Sequence, residues 1–240
     1  GVWPAEAAKW EHLKNLRVSP IVGSAAARAA ALKADANVFT MNYDNLPWLI
    51  EHLAGAWPFT KIVADESTRL KNFRGSNRKT KDGREFFQGA GGMRSRALGR
   101  VAHRAKHFIE LSGTPAPNGL KDLWGQAWFL DAGGRLGRVF KAFEQRWFAY
   151  QRSAEPGEQH KVEMFPLPLA QEQIQDRLRD ICITLKAEDY FDIEEPIRKT
   201  VYVDLPARAR VTYRRMEKEM FTQLAGDDIG IDVVVLVVHA

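Results

Sequence analysis

The chain has 240 residues, 45% of them hydrophobic, and a formal net charge of +5. Length and apolar content suffice for one large α/β domain, or one domain and part of a second, and exclude a disordered tail. Its single cysteine, Cys182, excludes an intrachain disulfide and a cysteine-based zinc site, and no stretch reaches the roughly 18 apolar residues of a membrane span.

Pro4 at a helix-opening position, with apolar Ala7, Trp10, Leu13 and Leu16 behind it, predicts a helix over residues 4–16. "RVSPIVG" predicts a short strand closed by Gly23, followed by an alanine-rich helix over 24–34 and a strand over 37–43. A helix over 44–53 follows, with Asp44 or Asn45 as its cap and Pro47 in its first turn. "KIVAD" is a third strand. Residues 74–93 hold five glycines, many charges and little periodicity, which predicts a flexible insertion.

Beyond it, "RSRALGRVAHRA" reads as a helix, "HFIELSG" as a strand and "GLKDLWGQAWFLD" as another helix. Residues 131–168 are irregular and aromatic, although Phe140, Phe143, Trp147, Phe148 and Tyr150 are spaced like one helix face; "EPGEQH" is expected to be an exposed loop. "LAQEQIQDRLRDICITL" predicts a helix running into a strand, and "ARARVTYRRMEKEMFTQL" a further helix; between them Val201, Val203 and Leu205 alternate. The final "IGIDVVVLVV" is β-branched and reads either as a buried strand of a domain that continues elsewhere or as an end that is not native. Strands alternating with helices at these intervals imply βαβ units and a parallel sheet with helices on both faces, whose ligands sit at the carboxyl ends of the strands.

Two segments fall at such ends. Asp65 and Glu66 close "KIVAD" and open "DESTRLKN". At a strand end the first carboxylate can hold Mg²⁺ through its water shell while the second orients a water toward a phosphate. "LSGTPAPN" closes another strand, with the hydroxyls of Ser112 and Thr114 flanking Gly113, and these are expected to hydrogen-bond the neighbouring carboxylates. Charge is concentrated nearby: residues 69–106 hold twelve Lys and Arg against two acids, so the rest of the chain is net negative. Such asymmetry suits a polyanion. His103 and His107 are four apart without a third ligand at a recognisable spacing, so no histidine metal site is expected.

Taken in order, "VWPAEAAKW", "VFTMNYDNL", "KIVADESTRLKN" and "FIELSGTPAPNGLKDLWGQAWFLD" resemble the first RecA-like motor domain of superfamily-two helicase-like ATPases, and most of all the Swi/Snf-type DNA translocases of phage and prophage. The resemblance implies an ATP-dependent enzyme that moves on double-stranded DNA with ATP and Mg²⁺ as cofactors, in the cytoplasm of a bacterium or a phage-infected host cell. It implies Asp65 as the Mg²⁺ carboxylate, Glu66 as the residue polarising the hydrolytic water, and Ser112 and Thr114 as the couplers of nucleotide state to movement. Pro4, Lys9, Thr40, Tyr43, Arg69 and Lys71 would lie along DNA. Ser67 stands where the family often has Ala or Gly, and Thr68 where it often has His.

No G-x-x-x-x-G-K-[ST] loop occurs in the 240 residues. The expected organisation is therefore a motor domain lacking its phosphate loop over 1–150, a linker over 151–206 and the start of a second RecA-like domain over 207–240, with the opening at Gly1 read as a cut. The alternative is a non-catalytic nucleic-acid-binding module derived from such a domain.

Overall fold

A computed structural model describes residues 2–152, 162–186, 189–192, 199–202, 204, 206–219 and 233–237. The expected loop at 155–160, together with Val203 and Leu205, lies outside them. The chain divides into two compact units, residues 1–182 with 231–240, and residues 183–230. Within the second, helix α8 (Ala207–Glu219) forms as its composition predicts, and Arg210 just inside it pairs with Asp204 at 3.1 Å.

The first unit is mixed α/β. Its five-stranded sheet contains β1 (Val18–Ile21), β2 (Val38–Asn42), β3 (Lys61–Asp65), β6 (His107–Leu111) and β9 (Val233–Val237), in the order β1-β2-β9-β3-β6. β1 pairs parallel with β2, and β3 parallel with β6. The expected all-parallel sheet is interrupted, because β9 enters antiparallel between β2 and β3. Since β9 opposes both neighbours, β1, β2, β3 and β6 still run the same way and their carboxyl ends share one edge.

Helix α1 (Val2–Lys9) precedes β1, α2 (Ala25–Ala31) connects β1 to β2, and α3 (Leu46–Leu53) connects β2 to β3. α1 stops well short of residue 16, because Trp10 turns to an extended backbone before a 3-10 turn at Glu11–Leu13. Ser24 caps α2 by accepting the Ala27 N–H at 3.2 Å. Pro47 sits in the first turn of α3, whose Leu46, Leu49 and Ile50 are buried.

The stretch expected to be a flexible insertion is a hairpin of β4 (Phe73–Lys79) and β5 (Glu85–Gly91). Its glycines make room for rings. A Cβ on Gly75 would lie 2.0 Å from the Phe87 ring, and one on Gly89 3.1 Å from Phe73. The hairpin packs on α4 (Met93–Gly99) and α5 (Asp122–Asp131), and Phe73 is the hub, 4.6 Å from Trp128, 4.9 Å from Phe129 and 6.2 Å from Trp124 between ring centroids. Full burial of each such ring is worth roughly 1.5–3 kcal/mol.

α6 (Phe140–Trp147) presents Phe143 and Trp147 to the core, as its spacing predicts, and leads into a second hairpin of β7 (Phe148–Arg152) and β8 (Val162–Pro166). α7 (Ala170–Leu178) follows; the strand expected after it does not form through residue 186. Among the described residues no helix is long and apolar enough to cross a membrane.

Candidate functional site

β3 delivers Asp65 to the carboxyl edge of the sheet, and the next residue breaks the strand by entering the left-handed region, with Glu66 at φ 51°, ψ 54°. A residue with a Cβ spends about 1–2 kcal/mol to stand there. Two bonds hold the turn: the Glu66 N–H donates to Asp65 Oδ1 at 3.1 Å, and the Tyr43 hydroxyl, arriving from the end of β2, donates to the Asp65 carbonyl at 2.9 Å. Glu66 is left exposed and Asp65 half-buried.

Directly after Glu66 the chain dives inward. Ser67, buried at the start of a 3-10 turn, donates through Oγ to Gln126 Oε1 at 2.9 Å. Gln126, on α5, donates in turn to the Pro115 carbonyl at 2.6 Å and to the Asp122 carbonyl at 3.0 Å. The carboxylate turn is thus tied through one buried amide to the "SGTPAPN" loop. The crossing of α5 over this turn requires glycine, since a Cβ on Gly125 would meet the Leu70 and Lys71 carbonyl oxygens at 2.7 Å.

The register Asp65↔Leu111 ends β6 level with Asp65, so Ser112 leaves the sheet at the same edge. The expected bond from Ser112 or Thr114 to the carboxylates is absent among the described residues. Ser112 Oγ instead accepts the Thr114 N–H at 3.2 Å, closing a local turn of the kind short hydroxyl side chains favour.

The residues assigned to DNA separate into two groups. Thr40 and Tyr43 are 5% and 2% exposed and have no surface to offer a phosphate; Tyr43 acts on Asp65 instead. Pro4 is half-buried on α1, while Lys9 is exposed there and pairs with Glu6 at 3.0 Å. Arg69 is exposed on the turn after Glu66. Lys71 turns back toward Asp122 at 3.7 Å.

Sequence reasoning missed Gln126 and Asp122. The signal was present: both polar residues stand four apart in "DLWGQAWFLD", hence on one face of an otherwise apolar helix, and a buried polar group needs a partner. Asp122 finds the Asn118 N–H at 2.9 Å. Among the described residues no group of three or more His, Cys, Asp or Glu is placed to hold a metal ion.

Fold and site together define a mixed α/β protein whose aligned strands end in a carboxylate pair on a strained turn, braced by a buried Ser–Gln–carbonyl relay. Over 224 residues, 92% of its length, the chain is 52% identical to protein p41 of Acyrthosiphon pisum secondary endosymbiont phage 1, and it spans 45% of that protein. No family model and no solved structure matches it.

Proposed function

We propose that the chain is the central part of an ATP-dependent DNA translocase, a RecA-like motor unit in which Asp65 and Glu66 serve the hydrolysis of ATP. The observation that carries this reading is the turn at Glu66. A non-glycine residue held in the left-handed region at a strand end, exposed and pinned by Tyr43, is strain kept where a carboxylate must project. The order of the four sequence motifs and the phage relative add to it.

In this reading Asp65 anchors Mg²⁺ through its water shell. Mg²⁺ takes one or two protein carboxylates and completes its sphere with water and phosphate oxygens, so a pair without a third ligand suits it. The ion would neutralise charge developing on the phosphates. Glu66, exposed beside it, orients and deprotonates the attacking water. Movement at the "SGTPAPN" loop reaches the carboxylates through Pro115, Gln126 and Ser67, and this relay gives Ser112 and Thr114 their coupling role without a direct bond to either acid.

The test is Mg²⁺-dependent ATP hydrolysis in the presence of duplex DNA, measured on the 240-residue chain and on the same chain extended by the coding sequence preceding Gly1. The extended chain is expected to hydrolyse ATP and to lose about a hundredfold or more on Glu66→Gln, the range of a general base. The 240-residue chain is expected to be inert, having no phosphate loop. An extended chain that binds DNA and ignores ATP establishes the non-catalytic reading in its place.

A further inference from the structure

A second feature lies away from the carboxylates. α5 carries Asp122 next to the carboxylate turn and runs about 15 Å, at 1.5 Å per residue, to its other end at Ala132. At that far end, between the β4–β5 hairpin and α4, a cavity of about 700 Å³ opens to solvent. Phe86, Phe87 and Trp128 supply its apolar wall. Phe87 and Trp128 are stacked at 5.0 Å with planes 11° apart, and Phe86 is 45% exposed.

The polar part of the wall is cationic. Arg96, Arg100 and Arg138 line the cavity, and no carboxylate is among its lining residues. Arg138 lies over the Phe87 ring at 5.8 Å. Arg96 and Arg100 are exposed and make no ion pair or side-chain hydrogen bond among the described residues. Three other cations of the same basic segment are paired: Arg94 with Asp44, Arg84 with Asp82, and Lys71 with Asp122. Unpaired guanidinium groups beside an exposed ring leave both an anion and a flat apolar surface unsatisfied.

We propose that this pocket takes one nucleotide of a single-stranded nucleic acid, with its base against Phe86 and the ring wall and its flanking phosphates on Arg96, Arg100 and Arg138. The volume falls in the range of small-ligand sites, and paired cationic and aromatic walls are how single strands are held without sequence preference. A duplex presents phosphates but hides its base faces, so it can use only half of this wall. A strand is favoured over a free nucleotide because positive charge continues along the hairpin from Arg78, which stands opposite Phe86 in the β4–β5 register, to Lys81 just beyond β4.

The inference is independent of the ATPase reading. Its test contains no ATP and alters neither Asp65 nor Glu66, so each can fail while the other stands. Fluorescence anisotropy on the full chain compares labelled dT12, a blunt duplex of equal length, and unlabelled dTMP as competitor. The dT12 oligomer is expected to bind at least tenfold more tightly than the duplex, and dTMP at equimolar concentration is expected not to displace it. Phe86→Ala, an exposed position, should weaken dT12 by about tenfold, within the range of one lost stack. Arg96→Ala should flatten the log–log salt dependence by about 0.7, as for one single-strand phosphate contact. Absence of dT12 binding, equal binding of the duplex with Phe86→Ala unchanged, or displacement by equimolar dTMP would each overturn the proposal.

Discussion

Glu66 and Glu110 show what a carboxylate costs when position, rather than solubility, decides its surroundings. Glu66 pays in backbone strain and stands exposed to water. Glu110, on β6, pays in solvation: its Oε1 is shielded from water and has no hydrogen-bond partner among the described residues, and burial holds its carboxyl well above the usual range. A group whose pKa is raised on folding adds stability that is fully present below the unfolded value, near 4.3, and lost as pH rises through the folded one. Glu110→Gln is therefore expected to match the parent in urea titrations below about pH 4 and to exceed it at pH 8 by roughly 1–3 kcal/mol, the cost of a buried unsatisfied group. A constant difference across that range would show that folding leaves the Glu110 carboxyl unshifted.

At the scale of elements, α5 carries most of the organisation of the site. Its Trp124 and Phe129 enter the core, its Gln126 braces the carboxylate turn, and its Gly125 lets the turn approach. Gly125→Ala forces a methyl into two backbone carbonyl oxygens that have no rotamer with which to withdraw. We expect it to destabilise the fold by about 1–3 kcal/mol, the cost of overpacking, despite alanine's better helix propensity; an unchanged or raised thermal midpoint would show that α5 can slide off the turn. The helix itself was legible in the sequence, and so were β3, β6 and α3; α6 showed as an aromatic helix face in a stretch expected to be irregular, but Phe148 and Tyr150 of that face lie on β7. The β4–β5 hairpin was not legible, because glycine in a charged stretch signals mobility when read locally. Gly75 and Gly89 instead accommodate the Phe87 and Phe73 rings from partners that only folding supplies. The carboxylate pair could be located from its strand, whereas the Ser67–Gln126–Pro115 relay joins residues up to 59 positions apart and has no local signature. The burial of Thr40 and Tyr43 was hidden for a related reason: β2 is closed on both faces from Val38 to Met41, and a strand pattern does not tell that.

At the scale of the molecule, the sheet is two parallel pairs joined by one antiparallel strand. β9 pairs with β2 from Val38↔Val237 to Asn42↔Val233, and with β3 from Lys61↔Val237 to Ala64↔Val234. The β-branched run could be recognised as strand-forming, but its central and antiparallel placement depends on pairing across most of the chain and has no local code. Ending the chain after residue 230 removes both ladders at once and leaves the inner edges of β2 and β3 open, a template for association between molecules. At about 0.5–1.5 kcal/mol per hydrogen bond lost, the truncated chain is expected to be less stable by several kcal/mol and to aggregate on mild heating. Amide hydrogen exchange gives the decisive reading, since β2 and β3 already run parallel and are able to close on each other. Fast exchange along Val38–Asn42 and Lys61–Asp65 means that β9 holds the two pairs together. Retained protection there, with an unchanged thermal midpoint, means that β2 and β3 pair directly in its absence and that β9 is a wedge in a sheet able to form without it.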